Sequence, residues 1–216
     1  MDIERLIELH PRLYHMAEAG AWESIRMRGL MSVSAILDFS NVSGEHRSPF
    51  ESAQRIEKAR VATGDAGEIV LRDQKPMPRS QLLVALQDGI TPEGWYRTIN
   101  AKVFFWVSYA RLENLLNARS YRRHEHDVLF VDSAPLIHAY AEQIRLSPMN
   151  SGNTFPTATK RGAGTFSRIQ DYPVAESGNP TKKIVELVVE HSVPDIADYV
   201  LEVWRMKGSD ALHRIF

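Results

Sequence analysis

Apolar and polar positions change period several times along the chain, and each change predicts an element. Ile3, Leu6, Ile7 and His10 fall at helical spacing until Pro11 stops them. Leu13 to Met16 is short, apolar and partly aromatic and predicts a strand. Helices are expected over Ala21 to Arg28, with Gly29 as the glycine past its C-terminus, and over Ser32 to Phe39. Glu51 to Ala62 predicts a polar helix, Glu68 to Arg72 a short strand, and Ser80 to Gln87 a helix. Thr91-Pro92-Glu93 predicts a cap and a helix through Asn100. Val103 to Ser108 is β by composition, and Tyr109 to Ala118 turns Leu112, Leu115 and Leu116 inward as a helix. A strand over His126 to Val131, a helix over Ala134 to Ala141 and a strand over Ile144 to Leu146 follow.

Residues 147–181 lose all periodicity. Gly, Pro, Ser, Thr and Asn dominate, and Phe155, Phe166 and Tyr172 suggest a loop pinned to the body. Strands resume at Lys183 to Glu190 and Val200 to Met206, around a helical turn at Pro194 to Asp198. Strands and helices interleave, yet no glycine-rich phosphate loop follows the first strand, against a Rossmann or P-loop reading. The expected class is α+β, a mixed and mainly antiparallel sheet with flanking helices. One domain over 1–216 is expected, with a helical insertion at about 41–100 and the irregular loop at 147–181.

Four places could carry chemistry. His15 is a structural hydrogen-bonder or, held rigidly beside Tyr14, a donor to a ribose hydroxyl or phosphate. Alternation puts Ile184, Glu186 and Val188 on one strand face, so the Glu186 carboxylate meets either solvent or a cleft. In a cleft it could stabilise positive charge on a sugar and take a proton. Arg72 either pairs with Asp73 or forks onto a pyrophosphate or carboxylate. The Asn150-Ser151-Gly152-Asn153-Thr154 segment is a tight turn or presents amides to a substrate or to a dinucleotide.

Composition changes this picture only by exclusion. With 216 residues the chain can bury a real core. Its net charge of −1 gives no global field for nucleic acid, although Arg119, Arg122, Arg123, His124 and His126 form a local basic cluster. No cysteine is present, which removes disulfides, thiolate metal sites and a cysteine nucleophile and fits a cytoplasmic setting. His124 and His126 do not make a convincing metal pair, so no metal is expected. No apolar run nears the ~20 residues a membrane span needs, and no signal-type segment opens the chain.

The ordered fragments Leu13-Tyr14-His15, Arg72-Asp73-Gln74, Val103-Phe104-Phe105-Trp106 and Ser147-Pro148-Met149-Asn150-Ser151-Gly152 resemble a family of uncharacterised bacterial proteins over nearly the whole chain. More distantly, the order is similar to DarT-type ADP-ribosyltransferase toxins, which modify bases of single-stranded DNA using NAD. Leu13 to His15, Ser24-Ile25, Gly29-Leu30, Val103 to Phe105, Gly152-Asn153 and Glu186 before Val193-Pro194 and Ile196 carry that likeness. It implies the ADP-ribosyltransferase type of sheet and NAD as a substrate cleaved at the nicotinamide–ribose bond. Glu186 and Arg72 would be catalytic, and His15, Tyr14 and Asn153 would bind NAD. It implies a single-stranded DNA or RNA acceptor, and an antitoxin partner would be in keeping with it. The alternatives are a non-catalytic nucleotide- or protein-binding module on the same fold, or an enzyme like the RNA 2′-phosphotransferases.

Overall fold

A computed structural model describes residues 1–64 and 67–216; Asp65 and Ala66, inside the 41–100 stretch, lie outside the described residues. The strands are β1 (Arg12–Glu18), β2 (Leu30–Met31), β3 (Ala59–Ala62), β4 (Glu68–Leu71), β5 (Lys102–Trp106) and β6 (Glu125–Asp132). They continue with β7 (Ile144–Ser147), β8 (Glu186–Glu190), β9 (Ser192–Val193), β10 (Val200–Lys207) and β11 (Asp210–Arg214). The helices are α1 (Ile3–Leu9), α2 (Trp22–Arg28), α3 (Val33–Phe39), α4 (Ser48–Glu51), α5 (Arg79–Ala85), α6 (Pro92–Asn100), α7 (Tyr109–Leu116) and α8 (Ser133–Tyr140).

A seven-stranded sheet, in the order β11-β10-β6-β1-β5-β8-β7, forms the body, and its described strand pairs are antiparallel. The class is α+β, as the pattern predicts. Both faces of the sheet are covered. Leu13, Phe105, Leu129, Val131, Leu187 and Val203 join Leu6, Trp22, Leu136 and Ile137 in the main core. On the reverse, Met16, Val128 and Met206 pack under Leu112 and Leu116 of α7. Two-sided burial explains why β6 and β8 read as near-continuous apolar runs.

Local chemistry fixes the element ends. The Ser32 hydroxyl accepts from Ala35 N at 3.1 Å and the Thr91 hydroxyl from Gly94 N at 3.1 Å, so both helices begin at side-chain caps. Gly29 ends α2 at φ +83°, and a Cβ there would stand 2.4 Å from Pro194 Cα, so the close pass of α2 over the β9 end requires glycine. Asp127 is fully buried and ties three elements together. One carboxylate oxygen accepts from Gly20 N and Trp22 N at 2.9 and 3.1 Å; the other accepts from Arg205 Nε at 2.7 Å.

The 41–100 stretch differs from the helical insertion expected. The polar helix over Glu51 to Ala62 is not formed: α4 stops at Glu51, and Ala59–Ala62 pairs with Glu68–Leu71 as a two-stranded sheet. The reason is long-range. Arg55 is buried where the chain turns, and its guanidinium donates to Phe50 O, to Arg72 O at 3.0 Å and to the Asn100 side chain at 3.0 Å. A continuous helix would carry that guanidinium away from all three. β11 is a further departure from the sequence pattern; it extends the sheet as an exposed edge.

Candidate active site

The sheet is not evenly bonded. β1 pairs with β6 from Arg12↔Asp132 to Glu18↔His126, but with β5 only at Tyr14↔Trp106. Beyond that point β1 and β5 part, and a cavity of about 770 Å³ lies there, walled by both strands, by residues 68–76 and by α7. Its size is that of a small-molecule site. His15, Arg72, Asn153 and Glu186 all line it. Tyr14 does not: its ring packs edge-on against Tyr109 and Phe130, centroids 5.7 and 5.4 Å away, beneath α7.

Two polar groupings mark the cavity wall. In the first, Glu186 opens β8, opposite Trp106 of β5 and Ser147 of β7. Only 3 % of it is exposed. Ser151 N–H donates to both carboxylate oxygens at 3.2 Å. Burial raises the carboxyl pKa to about 7, against the opposing pull of that N–H and of the Arg161 and Arg111 charges. The carboxylate on a solvated face is thus ruled out in favour of the cleft.

Arg161 builds this end from behind. It is 1 % exposed and donates to Ser151 O at 2.7 Å, Asn153 O at 2.8 Å and Thr159 O at 3.1 Å. It therefore clamps the 150–154 turn that aims Ser151 N–H at Glu186. Its guanidinium also stands 5.8 Å from the Trp95 ring centroid. The irregular loop is pinned partly as expected: Phe166 stacks on Trp95 and Tyr172 is buried, but Phe155 is 69 % exposed.

The second grouping holds His15 and Arg72. His15 Nδ1 lies 2.8 Å from Phe104 O. A carbonyl only accepts, so Nδ1 carries the proton and Nε2 is left as an acceptor. Burial lowers the imidazole pKa to about 4, with the Arg72 charge adding to it, so the ring is neutral at pH 7. The expected donor to a phosphate is replaced by an acceptor suited to a hydroxyl. Arg72 donates to Met16 O at 2.9 Å and lies over the Tyr121 ring at 4.8 Å. Burial lowers its pKa, while Tyr121, Asp73 and Glu18 act to raise it. Its charge acts on His15, whereas the arginines acting on Glu186 are Arg161 and Arg111. Through its bond to Met16 O, Arg72 stands beside His15.

Sequence reasoning missed Arg111 and Arg161, and named Ser151 only as part of a segment that could present amides to a ligand. Arg111, Asn114, Leu115 and Ala118 repeat at helical spacing along α7 and just past its end, and all face the cavity, a stripe that could have drawn notice. Nothing local marks Arg161, whose partners are backbone carbonyls. Arg119, Arg122 and Arg123 are exposed on the turn after α7, while Ser120 and Tyr121 between them line the cavity. His124 is exposed; His126 is buried, with Nε2 3.3 Å from Tyr121 O.

Among the described residues no cluster of His, Cys, Asp and Glu could hold a metal ion, and no helix is long and apolar enough to cross a membrane. Residues 11–200 match DUF7002, a family of unknown function, and the chain belongs to that family. No curated protein matches it.

Proposed function

We propose that this member of the DUF7002 family is an NAD-dependent ADP-ribosyltransferase, or a close relative of one, acting on a nucleobase in single-stranded nucleic acid. The observation that carries this reading is the buried Glu186 carboxylate on the wall of a dinucleotide-sized cavity that His15 also lines. The sheet split between β1 and β5 is read as the ADP-ribosyltransferase type.

The chemistry follows from the side chains. When the nicotinamide–ribose bond breaks, its electron pair leaves with nicotinamide and positive charge builds on the ribose. Glu186, deprotonated, stabilises that charge electrostatically. The acceptor nucleophile then bonds to the ribose carbon and gives its proton to the same carboxylate, whose pKa near 7 suits that role. His15 Nε2 accepts from a ribose hydroxyl and fixes the sugar. Asn153, held by Arg161 at its carbonyl, lines the cavity as a further NAD contact. Arg72 supplies positive charge near the phosphates. Tyr14 contributes packing only.

The test is nicotinamide release and mass transfer with NAD and single-stranded DNA or RNA. Glu186→Gln should lower turnover at least ~100-fold, as loss of a preorganised electrostatic contact does, while NAD affinity stays unchanged. Wild-type turnover should rise with pH up to about 7 and then level, because the carboxylate form is the working one. Wild type that binds NAD but releases no nicotinamide would turn the reading into a non-catalytic nucleotide-binding module.

A further inference from the structure

The cavity wall carries three arginines, Arg55, Arg72 and Arg111, in unlike states. Arg72 is already engaged by Met16 O and the Tyr121 ring. Its Nε is buried and has no hydrogen-bond partner among the described residues, so only part of its fork is engaged. Arg111 is different. It lines the same cavity from the first turn of α7, is half-buried, and its backbone alone is bonded, N–H to Ser108 O at 3.2 Å. Among the described residues no hydrogen bond or ion pair engages its guanidinium, although Arg55, Arg72 and Arg161 at or near the cavity each have one. A half-buried guanidinium loses hydration, and a bidentate anion is the group that restores its bonds.

The neighbours say which anion. Arg111 and Glu186 line the same cavity, yet among the described residues no ion pair joins them. An Arg–Glu pair would neutralise both; without one, the guanidinium retains its donors for a ligand in the cavity. Asn114 extends the same polar stripe outward along α7, toward the turn holding Ser120.

We infer that Arg111 is a phosphate-binding residue, forking onto a phosphate oxyanion of a ligand seated in the cavity beside Glu186. The phosphate has two sources, the pyrophosphate of an ADP-ribosyl ligand or the backbone of an oligonucleotide entering past α7. The choice of these ligands rests on the transferase reading; the free cation does not.

Binding of ADP-ribose, adenosine and a single-stranded oligonucleotide is measured by calorimetry on wild type, Arg111→Gln and Arg111→Lys. Arg111→Gln should weaken one phosphate-bearing ligand at least ~10-fold, with partial recovery in Arg111→Lys, because lysine returns the charge without the fork. Adenosine affinity should not move. Loss on ADP-ribose assigns the pyrophosphate; loss on the oligonucleotide alone assigns the acceptor backbone. The melting temperature should stay near wild type, since no bond to the protein is cut. Equal affinity of Arg111→Gln and wild type for both phosphate ligands, or no binding of either by wild type, overturns the inference. Arg111-dependent binding without nicotinamide release overturns the transferase reading alone.

Discussion

On one side β1 is bonded to β6 from Arg12 to Glu18; on the other it meets β5 only where Tyr14 lies opposite Trp106. The bonded side is mostly aliphatic, with Val128, Leu129, Val131 and Val203 buried, and its buried Asp127 is fully paired, to Arg205 and two backbone N–H groups. The parted side holds a cavity with His15, Arg72 and Glu186 on its wall. A sheet can host buried charge where its ladder is interrupted, because backbone groups freed from the ladder become partners for side chains. Phe104 O, turned to His15, is one such group.

The comparison can be broken most forcefully at Arg161, which holds together the turn beside the parted side. Arg161→Leu strands the carbonyls of Ser151, Asn153 and Thr159, at ~1–3 kcal/mol each if they stay buried. A loss of ~3 kcal/mol or more in urea denaturation is expected, and a loss below ~1 kcal/mol would show the turn to be self-supporting. On the bonded side, Leu129→Ala should cost ~2–5 kcal/mol, as large-to-small changes in a full core do. Phe104→Ala, at a half-buried position on the cavity wall, should cost less than half of that by the same assay. Equal losses at Leu129 and Phe104 would erase the distinction between the two sides.

Protonation sharpens the contrast further. His15 and His126 have folded pKa values lowered to about 4, by burial first, from 6.5. Their contribution is intact above pH 6.5 and is lost as pH falls toward 4. Glu186 is raised from 4.5 to about 7, so its contribution is intact below pH 4.5 and is lost as pH rises to 7. Glu186→Gln should therefore leave stability nearly unchanged below pH 4.5 and raise it at pH 8. The ceiling on that gain is about 1.4 kcal/mol for each pH unit that separates the folded from the unfolded pKa. A gain of the same size at both pH values would mean that Glu186 titrates normally.

The bonded side is the more legible in sequence. The runs at 13–16 and 126–131 predict β1 and β6, where both faces of the sheet are covered; the run at 103–108 predicts β5 on the parted side, where burial alternates. Gly29 and Thr91 are legible because one residue decides a helix end. His15 and Glu186 stand out as polar residues inside apolar strands, and both line the cavity. Arg55, Arg111 and Arg161 are silent. Their partners lie far along the chain, are backbone atoms, or are absent among the described residues, so no spacing announces them. Tyr14 draws attention through its neighbour, but alternation turns it from the cavity toward α7.

The clamp on the 150–154 turn has a bearing on how this region can drift over generations. Arg161 takes hold of main-chain oxygens, which every amino acid carries. Ser151, Asn153 and Thr159 can therefore be exchanged without loosening the grip, and the carboxylate keeps its N–H donor through such changes. The grip itself is indifferent to which side chains are held, while the residue that holds them admits almost no change.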